Sequence, residues 1–143
     1  GTIEFRMCDG IPTLREVRSI AALAQALVVW MDRRVDAGEP LPDIPSWVAR
    51  ENKWRACRFG LDGRVMTDVT GTTQPFKENI TEIVEFLQPV ARDLGTLDAL
   101  NGVREILETG SSANRQRKVV ADGGSLKDVV ALLREELAAE LQP

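Results

Sequence analysis

Apolar positions recur with one period at the start of the chain and with another almost everywhere after it. In residues 2–9, TIEFRMCD, the apolar Ile3, Phe5 and Met7 alternate with Glu4, Arg6 and Cys8. That period of two predicts a half-buried β-strand. From Leu14 the spacing turns helical: Leu14, Val17, Ile20, Ala21, Ala24, Leu27, Val28, Met31 and Val35 follow the 3.6-residue period. The preceding TLRE reads as a capping box, with Thr13 capping and Glu16 three residues on. Gly38 stands where a helix C-terminal glycine is expected. The stripe predicts a helix of six or seven turns, apolar enough in its middle to form the core.

Three prolines make 38–46, GEPLPDIPS, an extended loop. Ser46 then reads as the cap of a shorter helix, WVARENKWRACRF, closed by Gly60. Turn signals at Asp62-Gly63 and Gly71 surround a short β-like RVMTDV, and 60–75 is the longest stretch without helical patterning. A third helix is predicted over about 76–94, with Ile80, Ile83, Val84 and Leu87 as its stripe and Pro89 predicting a kink or break. A fourth ends at Gly110, a fifth follows Ser111 and Ser112, and Ser125, with Asp128 three residues later, opens the last. The fold class implied is mainly α: a helical array with one N-terminal β-strand, in a single domain over 1–143 (strand 1–9, helical part 13–143). A lone strand leaves backbone donors and acceptors to be paired elsewhere. Its options are the 60–75 segment, a second copy in a homodimer through residues 2–8, or disorder.

Composition narrows the chemistry. The chain has 143 residues, 43% apolar and 28% charged, which is ordinary for a soluble globular domain. No apolar run approaches the roughly 20 residues of a membrane span, and a charged strand stands where a secretory signal would. A formal charge of −4 gives no general attraction to nucleic acid or to an anionic membrane. Cys8 and Cys57 have no metal-type spacing, so a reducing, cytoplasmic setting is expected. The chain contains no histidine, which excludes Ser–His and Cys–His nucleophiles and disfavours zinc. Its 14 arginines against 4 lysines suit bidentate recognition of carboxylate or phosphate, or reflect composition bias alone.

Three clusters could carry chemistry. Glu4 and Arg6 share one face of the predicted strand, as a surface ion pair or as a cation-binding carboxylate beside an anion-binding arginine. In ENKWRACRFGLDG, 51–63, Trp54 and Arg58 are spaced for a cation–π contact and Glu51 and Arg55 for an ion pair. Trp47 lies in the same angular sector, and its alternative role is simply core. In GSSANRQR, 110–117, a Gly-Ser-Ser helix start leading to Arg115 and Arg117 could cradle an anion or serve as a cap.

Taken in this order and at these distances, TIEFRMCD, ENKWRACRFGLDG, GSSANRQR and the final GSLKDVVALLREE resemble the C-terminal part of the carboxylate–amine ligases similar to glutamate–cysteine ligase of the second type. The resemblance covers nearly the whole chain, with Lys53 a mild departure in its most specific block. It implies a glutamine-synthetase-like α+β parent whose catalytic sheet lies mostly upstream. In that parent, ATP phosphorylates a carboxylate, usually the γ-carboxylate of glutamate, and an amine such as cysteine attacks the acyl phosphate to form an amide, a step of glutathione-type thiol biosynthesis. Mg²⁺ bridges the phosphates. By carry-over, Glu4 becomes a metal ligand, Arg6 and Arg58 catalytic cations, and Asn52, Arg55 and Arg115 residues near substrate or ATP. The chain alone is then expected to be inactive and to bind ATP and Mg²⁺ poorly. The rival reading is a non-enzymatic helical interaction module that uses the Trp47/Trp54 face.

Overall fold

The computed structural model describes residues 2–5, 8 and 10–141. Among the described residues six α-helices carry almost all the regular structure: α1 (Leu14–Asp36), α2 (Ser46–Phe59), α3 (Phe76–Asp93), α4 (Leu97–Thr109), α5 (Ser112–Ala121) and α6 (Leu126–Glu140). A single 3₁₀ turn, Gly60–Asp62, links α2 to a two-stranded antiparallel hairpin, β1 (Arg64–Met66) and β2 (Thr73–Pro75). Val65 faces Gln74 in its register. Residues 2–5 are exposed and join neither strand, so the strand predicted at the start of the chain is not formed among the described residues. The described sheet is instead the short hairpin within the turn-rich 60–75 stretch.

The core lies where α1, α3 and α4 meet. Leu87, Val84 and Ala91 of α3 and Leu100, Val103 and Ala99 of α4 close on Ala22 and Ala26 of α1. Side chains this deeply buried contribute about 1.5–3 kcal/mol each for a Val or Leu. The face that α1 turns inward is made of Glu16, Ser19, Ala22 and Ala26, flanked by partly buried Leu23, Leu27 and Trp30. Of the expected stripe, Leu27 packs against the core and Ile20 is half-buried, but Leu14, Val17, Ala21, Ala24, Val28, Met31 and Val35 lie on the opposite side, at 100° per residue. Leu14 is 52% exposed, Val17 43% and Val35 59%. Helical period thus located the helix correctly, while most of the stripe it marked is not the buried face.

Small residues face the core because α1 and α4 run close together. A Cβ placed on Gly102 of α4 would collide with the Ser19 hydroxyl oxygen of α1. That oxygen donates to the Arg15 carbonyl at 2.8 Å, and Ser19 is only 2% exposed. A larger side chain at either position would push the two helices apart.

Local signals set most helix ends. Glu16 N–H donates to Thr13 Oγ1 at 3.2 Å, as the capping pattern requires. The reciprocal half of the box is replaced, because the Glu16 carboxylate accepts from the Thr13 hydroxyl and from Arg115. Ser125 N–H and Oγ both donate to Asp128, each at 2.7 Å, and Ser111 uses Asn114 in the same way. The hydrogen bonds from Ser125 hold the Asp128 carboxyl below the usual carboxylate range. Ser46 is the first residue of α2 rather than its cap, a position taken by Pro45. α3 continues through Pro89, which costs one backbone donor but sits between the buried anchors Leu87 and Val90.

Gly102→Ala therefore destabilises the chain by about 1–2 kcal/mol in urea unfolding, because overpacking outweighs the gain in helix propensity. Ser19→Ala removes the colliding oxygen, so the double variant recovers most of the loss. Equal stability of Gly102→Ala and the parent chain would show that the helices separate freely.

Candidate functional site

Two groups of the sequence-nominated residues occupy two different parts of the fold. The first is α2 with the hairpin behind it. Val48 is the buried apolar anchor of α2, and most of the helix faces outward. Asn52 directs its whole amide at β1: Nδ2 donates to the Met66 carbonyl at 2.8 Å, and Met66 N–H donates back to Oδ1 at 2.7 Å. The side chain thus supplies the two bonds a neighbouring strand would make on the open edge of β1. Arg55 Nε donates to Glu51 at 2.8 Å, the ion pair expected from their spacing. Gly63, at the start of the hairpin, lies so close to Phe76 that a Cβ there would come within 2.9 Å of its ring.

Arg58 does not stack on Trp54. Its guanidinium lies 5.7 Å from the Phe59 ring centroid, and Phe59 in turn meets Trp54 edge-on at 5.7 Å and 89°. A helical turn brings residues i and i+4 together, but Phe59 begins to leave the helix and presents its face to Arg58 first. Trp54 is 55% exposed and Trp47 45%, so neither ring is core in this chain. Arg58 has no carboxylate partner among the described residues, which leaves an exposed cation beside an aromatic pair.

The second group surrounds Arg115, at the junction of α1, α5 and α6. Its Nε and Nη2 grip Glu136 at 2.6 and 3.2 Å, while Nη1 donates to Glu16 Oε1 at 2.9 Å and to the Gly110 carbonyl at 2.8 Å. Four of the five donors on the guanidinium are engaged through these bonds. The two carboxylates raise the Arg115 pKa above its ordinary value, the Glu136 hydrogen bond contributing most and partial burial opposing it. Neither acid was visible as a partner in sequence, since each lies on another helix. Arg15 extends the same junction, pairing with Glu105 and donating its backbone N–H to Glu140 Oε2 at 3.0 Å. A cavity of about 800 Å³ opens here, lined by Thr13, Arg18, Glu105 and Glu140 among others.

The remaining nominees lie near the start of the chain. Glu4 is on the exposed segment 2–5, and Arg6 lies outside the described residues. Among the described residues no three His, Cys, Asp or Glu side chains group in a way that could hold a metal ion. No helix among them is long and apolar enough to cross a membrane. Between the strands, Asp68 accepts from Thr70 N–H at 2.8 Å, the Thr70 hydroxyl at 2.7 Å and Thr72 N–H at 3.1 Å. These bonds, led by those to Thr72 and Thr70, lower its pKa well below the usual carboxylate range.

Residues 1–132 match the family model described as glutamate–cysteine ligase family 2. The chain belongs to that family. Among its relatives, a protein named "Putative glutamate–cysteine ligase 2" from Thermobifida fusca is 48% identical over 97% of this chain and 35% of its own length. One named "Putative glutamate–cysteine ligase 2-1" from Frankia casuarinae is 46% identical over 96% of this chain and 36% of its own. A Mycobacterium ulcerans protein named like the first is 45% identical over 96% of this chain. The chain spans about a third of the length of the curated relatives it matches. In this member of glutamate–cysteine ligase family 2, the α2 block and Arg115 with Glu16 fall within the matched residues, whereas Glu136 and Glu140 lie beyond them.

Asn52→Ala leaves two backbone groups of β1 without partners and lowers stability by about 1–3 kcal/mol, with faster amide exchange at Met66 as the local readout. Arg115→Ala strands Glu16, whose side chain is 9% exposed, and costs about 1–3 kcal/mol in urea unfolding. Arg115→Lys restores only part of this, because an ammonium cannot grip Glu136 with a fork while reaching Glu16. A fully stable Arg115→Ala chain would remove the clamp from the account of this junction.

Proposed function

We propose that this chain is the C-terminal part of an ATP-dependent carboxylate–amine ligase acting on glutamate and an amine such as cysteine, and that it is inactive when isolated. The observation that carries the reading is the match of residues 1–132 to glutamate–cysteine ligase family 2 in a chain one third the length of its relatives. Activity on that reading belongs to the longer protein, in which a carboxylate is phosphorylated by ATP and the amine displaces phosphate.

Such chemistry needs fixed cations against the phosphoryl and carboxylate oxygens, and it works without histidine. Arg58 fits best: it is exposed, unmatched by a carboxylate among the described residues, and steadied by Phe59. Arg55 is a weaker candidate because Glu51 already takes its Nε. Asn52 and Arg115 act through structure on this reading, the first by holding β1 and the second by holding α5 and α6 to α1. Arg6 is proposed as a second cation. Glu4 is proposed as one ligand of Mg²⁺, but the described residues do not assemble a cation site by themselves. Its other ligands would have to come from the rest of the protein, so no step is routed through the metal.

The test is ADP release from Mg-ATP with glutamate and a panel of amines including cysteine. It is run on this chain and on the protein extended to the length of its relatives. The expected result is turnover only in the extended protein, reduced about 100-fold in kcat/KM by Arg58→Ala. Turnover by the 143-residue chain alone would refute its inactivity. No turnover in either, across the panel, would favour a helical interaction module, for which the exposed Trp47 and Trp54 are the specific observation.

A further inference from the structure

We propose that Gly63 is a positioning residue for Arg58. The missing side chain at 63 lets Phe76 of α3 and Phe59 of α2 close on one spot, and Phe59 so held aims the Arg58 guanidinium. For its consequence in turnover the proposal rests on the reading of Arg58 as a catalytic cation; the position itself rests on packing alone. Arg58 stands in the last turn of α2, with no carboxylate to direct it among the described residues. What it has is the Phe59 ring, whose centroid lies 5.7 Å from its guanidinium carbon. An exposed cation–π contact biases an arginine by only about two- to five-fold, and toward a fixed direction only if the ring is itself fixed. Phe59 is 48% exposed, and Trp54, which it meets edge-on, is more exposed still. Neither ring can hold the other.

The restraint comes from the other side of Phe59. A Cβ at Gly63 would lie 3.0 Å from Phe59 Cβ and 2.9 Å from Phe76 Cδ2, so both side chains border the same small space. Gly63 has φ −77°, which any residue adopts, so room and not backbone conformation calls for glycine here. Gly63 is buried, and its carbonyl accepts the Phe76 N–H at 3.0 Å. That donor is one of those a helix start leaves free, and the α3 N-cap, Pro75, has no side chain to take it. The bond also continues the hairpin ladder one step beyond Arg64 and Pro75. Further along, α3 is anchored in the core by Val84, Leu87, Val90 and Ala91. Position is thus passed from the core through α3 to Phe76, then to Gly63, Phe59 and Arg58.

Two opposite changes test this in the protein extended to the length of its relatives. Gly63→Ala crowds the shared space and Phe76→Ala empties it, and both free Phe59; the second serves if the first does not fold. The first readout is NMR of the arginine-labelled protein, in which the Phe59 ring shifts the Arg58 δ and ε protons upfield. That shift is expected to vanish in Phe59→Leu and to shrink in Gly63→Ala and in Phe76→Ala. The second readout is ADP release. Each of the two variants is expected to lower kcat about tenfold, with KM for ATP and glutamate within about two-fold, and to cost nothing further in an Arg58→Ala background. Arg58 shifts that stay unchanged in both variants overturn the proposal. So does a loss of kcat that persists in the Arg58→Ala background, which makes Gly63 a structural residue only. Absence of turnover in the extended protein refutes the ligase reading, and the proton shifts then decide the position of Arg58 by themselves.

Discussion

The close approach of α1 and α4 is the constraint on which the remainder of the fold depends. Gly102 lacks a Cβ where Ser19 presents its hydroxyl, and Ala22, Ala26 and Ala99 continue the contact with small side chains. Close backbones leave little room between these two helices, so the bulk of the core comes from α3 and α4 instead. Leu87 and Leu100 fill it, both fully buried. That arrangement spends the small residues of α1 inward and leaves its larger ones outward.

Around this core, polar side chains do the joining that apolar contact does elsewhere. α5 has no buried residue and α6 has only Val129. Their attachment to α1 relies on Arg115 between Glu16 and Glu136, and on Arg15 with Glu140. The hairpin is fastened to α2 by one amide, that of Asn52. Residues that look like ligand contacts in a motif can therefore be fasteners. Engagement separates the two roles: Asn52 spans both backbone groups of Met66 and Arg115 has four of its five donors engaged, whereas Arg58 keeps its charge uncompensated among the described residues.

The exposed aromatic face of α2, with Trp47 and Trp54, and the outward apolar face of α1, with Val17 and Val35, belong to a chain that spans about a third of the length of its curated relatives.

Helix positions were legible in the sequence because they depend on neighbours a few residues away. Thr13, Ser111 and Ser125 act as caps through contacts three residues on, and the 3.6-residue period located α1 and α3 closely. The ENKWRACRFGLDG block, in order with TIEFRMCD, GSSANRQR and GSLKDVVALLREE, also indicated the family. What the sequence could not contain was any choice made between distant segments. Periodicity marks an apolar face without saying what covers it, so the stripe of α1 read as core although Ser19 and Ala26 hold that place. The first residues carry a strand's alternation, yet a strand exists only when another backbone supplies its hydrogen bonds. Glu51 and Arg55 were foreseen because one helix turn joins them; Arg115 met Glu16 and Glu136 only when tertiary folding brought three helices together.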